Sequence, residues 1–394
     1  MTDKKEQKNI IRQSFQKNIR QYTMFIALIG IWLIFAVLTR GIFFSTRNLS
    51  NLFLQSATVA VLAMGVVLVI VAGHIDLSLG SYVAFVGAIV GALQVRSGIS
   101  PLPAIGIALV VGIAIGCWHG FWIAYRGVPA FIVTLASMLI LRGGTLGVTQ
   151  GQTQSPLPDG FLVIGQKYLA NIGFFKNDST LILACFIIVV FIFFELRKRA
   201  SRKKYGFEIL PVRLQIAKIV LISAVVGLFF MILIRYLGIP YVILLVIILG
   251  FVLNFIANNT TFGRQIYAIG GNKEAARLSG IHIKKRIFML FVLMGFLTSI
   301  AAIVFTSRVG GATAAAGQLM ELDAIAAAVI GGTSLTGGVG TVAGALVGAL
   351  VMTSLDNGMS LMNLDVTYQY IVKGLILLIA VWLDISSRNR GIES

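Results

Sequence analysis

A chain of 394 residues with 58% hydrophobic and only 12% charged residues has too little polar surface to coat a soluble fold of its size. Its net charge of +18 would suit nucleic-acid binding, but the basic residues lie between apolar runs with no aromatic-rich basic region beside them. Nucleic acid is therefore excluded as a partner, and anionic membrane lipid is the natural counter-charge. Cys117 and Cys185 both fall in apolar runs and make no disulfide framework. His74, His119 and His282 lack metal-ligand spacing, so neither a metal nor another cofactor is expected. No glycine is followed directly by lysine, which rules out a phosphate loop of the GxxxxGK type, and no HExxH occurs.

Taken in order, residues 1–22 are polar and basic and lead into the first apolar run without a cleavage-site pattern, which reads as a retained cytoplasmic segment. Runs long enough to cross a bilayer follow at 23–38, 52–72, 79–95, 103–125, 130–148, 180–195, 216–234 and 240–257. After a polar interruption at 262–286 come 287–306, 322–335, 339–355 and 370–383, and a short tail at 386–394. The run at 322–335 is short and glycine-bounded, as suits a tilted or re-entrant piece.

Twelve crossings starting inside place 23 of the 32 Lys and Arg in cytoplasmic segments and 7 outside, so both termini and 262–286 are expected in the cytoplasm. The two runs within 177–235 flank LRKRASRKKYG and form a hairpin that leaves the sidedness of everything after it unchanged. The fold class is thus an all-α polytopic membrane protein, 23–385, with a core of about ten transmembrane helices plus an inserted helical hairpin. GAIVGAL at 87–93 nearly repeats as GALVGAL at 344–350, which fits either two related halves or the small-residue spacing of any close helix contact.

Charges inside spans cost on the order of 2.5 to 3.5 kcal/mol at a helix centre and call for partners. Asp76, Arg142, Glu321, Asp323, Asp356 and Lys373 are such charges, and they read either as ion pairs along a polar path for a neutral solute or as an ion relay. Asp76 could cap the helix starting near Ser78 or touch solute, and Arg142 could snorkel or meet a buried partner. Gln55, Ser56, Thr134 and Ser137 could hydrogen-bond a sugar or a neighbouring helix.

The polar stretch 262–286 reads FGRQIYAIGGNKEAARLSGIHIKKR. Gly270 and Gly271 suggest a bend, Asn272 an N-cap, 273–279 a helix and Gly280 its C-cap. A helix of about two turns is unstable alone, so it must pack on something larger. It is either a docking element or an ordinary capped loop.

GGNKEAARLSGI at 270–281 resembles the cytoplasmic coupling motif of permease subunits in bacterial ABC sugar importers of the ribose, xylose and multiple-monosaccharide group. Glu274, Ala275, Ala276 and Gly280 match that pattern. Also similar are GHIDLSLGS at 73–81, VPAFIVTLASMLILRG at 128–143 and ELDAIAAAVIGGTSLTGGVGTVAGALVGA at 321–349. The resemblance implies a conduit for a monosaccharide, xylose or several sugars, in the cytoplasmic (inner) membrane. It further implies a separate ATPase subunit whose groove receives the short helix, a sugar-binding protein docking near 149–177, and a second permease copy. The coupling set would be Gly270, Gly271, Asn272, Glu274, Ala275, Ala276, Arg277 and Gly280. Rivals are a permease of the same build for nucleosides or branched-chain amino acids, and an ion-driven secondary transporter. The hairpin at 177–235 departs from the ribose-type pattern.

Overall fold

The computed structural model describes residues 19–207 and 211–392. Most of the N-terminal segment, 1–18, and the last two residues of the tail lie outside the described residues. Each of the twelve apolar runs forms a helix, and three further helices lie in the polar connections. In chain order these are α1 Ile19–Leu38, α2 Thr46–Val71, α3 Leu79–Val95, α4 Pro101–Gly120, α5 Ala130–Thr149, α6 Asp159–Gln166 and α7 Asp178–Lys204. They continue as α8 Val212–Ile234, α9 Tyr241–Asn259, α10 Thr261–Gly271, α11 Lys273–Leu278, α12 Ile283–Val309, α13 Met320–Ile330, α14 Val342–Leu361 and α15 Val366–Ile392. Eight of the helices are long and apolar enough to cross a bilayer, and shorter apolar stretches occupy α1, α3 and α15.

Burial separates core from periphery. In the apolar window of α2, 89% of residues are buried, against 17% in α7 and 11% in α8. The central helix is thus surrounded on all sides by α9, α12, α13 and α14, while α7 and α8 pack mainly on each other at the edge. Phe229 of α8 meets Phe53 of α2 edge-on at 4.8 Å, and Glu195 of α7 pairs with Lys218 of α8. Small residues set the most extensive helix contact, between α4 and α12. A Cβ on Gly112 would stand 2.4 Å from Ser299, and one on Gly295 would stand 2.5 Å from the Gly112 carbonyl.

α13 has 11 residues, which makes it about 16 Å long and roughly half of a hydrocarbon core. It starts against α3, where a Cβ on Gly317 would lie 2.1 Å from the Gly80 carbonyl. It ends in the 331–341 loop, whose Gly338 N–H donates to the Val71 carbonyl at 2.9 Å. The piece expected to be tilted or re-entrant is therefore a half-helix preceded by a non-helical segment. The stretch between α2 and α3 is interrupted in the same way, with Asp76 and Ser78 buried although they are not helical.

Several expected helices extend farther at their polar ends, as α7 does through Lys204 and α15 through Ile392. Lys and Arg continue a helix readily and carry their charge out to the interface, so hydropathy alone ended these runs early. The stretch 149–177, expected on the outside, holds α6, which is clamped to α12 because Ser307 Oγ accepts from the Gly165 N–H at 2.8 Å and donates to the Phe161 carbonyl at 2.7 Å.

Two measurements check this architecture. In cysteine-free protein, Thr153→Cys should react with an impermeant maleimide on intact cells, whereas Ser201→Cys should react only after permeabilisation; both positions are exposed, and neighbouring Gln154 is buried. Excising α7 and α8 behind a short linker should leave a chain that still assembles in detergent, and loss of folding on size-exclusion chromatography would make the hairpin part of the core.

Candidate functional site

The polar segment 262–286 contains two helices, not one. Thr260 caps α10 by accepting from the Gly263 N–H at 3.2 Å, and Ile266 and Ile269, three residues apart, bury one face. The Asn272 side chain caps α11 as expected, accepting from the Ala275 N–H at 2.9 Å. Gly280 follows with φ +79°, a left-handed conformation suited to glycine. Ala276 is buried toward the protein, while Lys273, Glu274, Ala275, Arg277 and Leu278 are exposed. Glu274 is joined to Arg277 at 2.5 Å on the same helix. Leu278, 78% exposed, was not singled out from the sequence. A leucine so displayed at the tip of a short polar helix is the signal that could have found it.

The expected bend at Gly270 and Gly271 is not there. Both lie in α10 without positive φ, and the chain turns at Asn272, with φ −156° and ψ 103°. What requires glycine at 270 is contact, because a Cβ there would sit 1.6 Å from the Val71 carbonyl oxygen, whereas one on Gly271 would meet nothing within 4 Å. Tyr267 reinforces this junction by donating from its hydroxyl to the Gly340 carbonyl at 2.7 Å. Burial pushes the Tyr267 phenol up, so it remains a donor. Beside the junction, burial and then the charge of Lys273 lower the His74 imidazole to about 4, leaving it neutral at physiological pH.

The interior polar candidates mostly hold backbone in place. Asp76 Oδ1 accepts from the Ser78 N–H at 2.9 Å and from Ser78 Oγ at 2.6 Å, which caps the entry to α3. Its Oδ2 lies 4.0 Å from His119 Nδ1, a neighbour not foreseen. Thr134 Oγ1 accepts from the Leu77 N–H at 3.1 Å, latching the same segment to α5. Arg142 meets backbone, and has no ion pair within 4 Å among the described residues: Nη1 donates to the Ala314 and Ala316 carbonyls, each at 3.0 Å, and so holds the non-helical approach to α13. Ser56 Oγ donates back to the Phe53 carbonyl at 2.8 Å. Ser137 is buried with its hydroxyl unpaired, one turn from Thr134 on α5, and Gln55 is half-buried on α2. The ion pairs expected within spans gather on Lys373, whose ammonium reaches Asp323 and Asp356 at 3.0 Å each. The structure thus brings Asp76 and Thr134 together, and places Arg142 at the other interrupted segment.

Comparison with known proteins identifies the family. A family model described as the permease component of branched-chain amino acid transport systems matches residues 48–216 and 241–381. The chain is 44% identical over 376 residues to the xylose transport system permease protein XylH of Escherichia coli K12, covering 95% of this chain and 94% of that one. The chain belongs to the ABC sugar-importer permease family. It is also 42% identical to XylH of Haemophilus influenzae, covering 95% of this chain and 98% of that one. To the ribose import permease protein RbsC of Escherichia coli K12 it is 34% identical, over 87% of each chain. No solved structure matches. The chain is accordingly a multi-pass inner-membrane transport subunit and not an enzyme, since ATP hydrolysis in this family resides on a separate subunit. The family works with an ABC ATPase and a substrate-binding protein. The family model passes over 217–240, which contains most of α8.

In this permease the two adjacent glycines should behave differently. Gly270→Ala should lower stability by about 1 to 3 kcal/mol through overpacking against backbone. Gly271→Ala should be neutral or raise stability by about 0.5 to 1 kcal/mol through helix propensity. Denaturant melts of the detergent-purified protein compare them directly.

Proposed function

We propose that this chain forms the membrane passage of an ATP-driven importer of a monosaccharide, with xylose the first candidate, and that α11 receives the ATPase. The observation that carries the reading is the pairing of 44% identity to a xylose permease with a short capped helix displaying Glu274, Arg277 and Leu278. A second permease copy, the ATPase pair and an extracytoplasmic sugar-binding protein complete the assembly, with the binding protein at the face carrying α6. Sugar-permease relatives at full length favour this over the amino-acid reading of the family description.

The route for coupling follows the contacts. Movement of α11 is passed to α10 through the turn at Asn272, and from Gly270 and Tyr267 into the end of α2 and the 331–341 loop. That loop ends α13, whose other end abuts α3 at Gly317 and Gly80. The two interrupted segments crossing there are where a neutral sugar would pass, since irregular backbone at membrane depth is tolerated where protein buries it or where it lines a cavity. Backbone close to backbone along this route leaves few soft side chains to absorb the motion.

Reconstitution with the ATPase and binding protein tests the reading. Leu278→Ala should weaken ATPase association by about tenfold or more, through loss of an apolar anchor. Glu274→Gln should leave the complex assembled while sugar-stimulated ATP hydrolysis and uptake fall together by about tenfold. Normal uptake by both variants at full ATPase occupancy would refute the role of α11, and uptake that collapses with a protonophore at constant ATP would replace it with an ion-driven mechanism.

A further inference from the structure

A cavity of about 930 Å³ opens beside α11. Its walls come from the segment after α2, the turn between α4 and α5, and the start of α12. Ile75, Ile123, Val128, Phe131, Ile281 and Ile287 supply an apolar interior, and Lys273, Arg277, His282, Lys284 and Lys285 supply a basic rim. The surrounding segment, 262–286, has six Lys and Arg against one acid, Glu274. That acid is already held by Arg277. Among the described residues no carboxylate pairs with Lys273, Lys284 or Lys285.

The depth of the cavity is marked by aromatic side chains. α4 ends in a wide turn, Phe121–Tyr125, and Trp118, Phe121 and Tyr125 stand exposed along it. Trp and Tyr so displayed on a membrane protein are enriched at headgroup level. The Tyr125 ring is 5.6 Å from that of Phe288, the residue one turn beyond Lys284 and Lys285 on α12. The Arg126 guanidinium rests over the Phe121 ring at 5.1 Å. Lys273, Lys284 and Lys285, paired with no carboxylate among the described residues, stand around a hollow lined by isoleucine, valine and phenylalanine, which matches the two parts of a phospholipid.

We propose that this cavity binds one anionic phospholipid, its phosphate among Lys273, Lys284 and Lys285 and its acyl chains against the apolar interior, in contact with α11. The proposal rests on the assignment of 262–286 to the cytoplasmic face. An acidic segment of the ATPase could also meet the basic rim, but it would not need the apolar interior or the aromatic border. Bound there, the lipid would support the base of the coupling helix from the membrane side while Leu278 and Glu274 face away from the membrane. Membrane charge would then tune transport.

The test uses the full-length permease, first without its ATPase. Native mass spectrometry after delipidation should show phosphatidylglycerol retained over phosphatidylcholine by about tenfold. Lys284→Gln with Lys285→Gln should abolish that preference while elution and thermal stability stay unchanged. In nanodiscs with ATPase and binding protein, replacing phosphatidylcholine by phosphatidylglycerol should raise sugar-stimulated hydrolysis for the wild type and not for the double variant. Equal retention of the two lipids by the wild type, or an undiminished preference in the variant, overturns the proposal. Loss of ATPase association in the variant with lipid retention intact also overturns it, and assigns the rim to the ATPase. Retained lipid preference alongside a fully coupled Glu274→Gln and a normally docking Leu278→Ala would leave the lipid site standing and remove only the role of α11.

Discussion

The polar segment 262–286 of this permease is joined to its most buried helix by a contact between backbones. Gly270 lies so close to Val71 that a single added carbon would fall 1.6 Å from the carbonyl oxygen. The same carbonyl accepts the Gly338 N–H, so α10, α2 and the loop between α13 and α14 share one atom. Buried carbonyls at a helix end must be satisfied, and the glycines are what permit a neighbouring chain to come near enough to do it. The helix leading into the exposed α11 is thereby in direct contact with the centre of the bundle.

The second constraint is the need to satisfy irregular backbone inside a membrane. The segment entering α3 and the one entering α13 are both non-helical and both partly buried. Unpaired peptide groups in such a place would cost several kcal/mol each. Asp76, Thr134 and Arg142 answer this by hydrogen-bonding the Ser78, Leu77, Ala314 and Ala316 backbone. Polar side chains that could be taken for solute ligands are thus committed largely to holding the two interruptions in place. Lys373 with Asp323 and Asp356 serves a comparable end, tying α15 to α13 and α14 where single charges would be costly. The hairpin of α7 and α8 takes little part in any of this, and its faces are open to lipid.

The sequence by itself determined what depends on local order. Runs nearly free of charge located every long helix, because a bilayer admits little else. Asn272 and Gly280 marked the ends of α11 because caps are set by residues one turn apart. The short run at 322–335 revealed its half-helix by length alone. Tertiary structure decided whatever depends on neighbours distant in the chain. Gly270 read as a bend because pattern cannot distinguish a glycine needed for its own φ from one needed to let Val71 approach, 199 positions away. Arg142 read as a snorkelling or paired charge because its acceptors are carbonyls more than 170 residues later, and every residue type carries a carbonyl. Leu278 drew no notice because one leucine is ordinary in a chain this apolar, and only its exposure on a short polar helix sets it apart. Local propensity is written in adjacent residues, whereas close approach of backbones leaves only small residues behind, and these do not name what they touch.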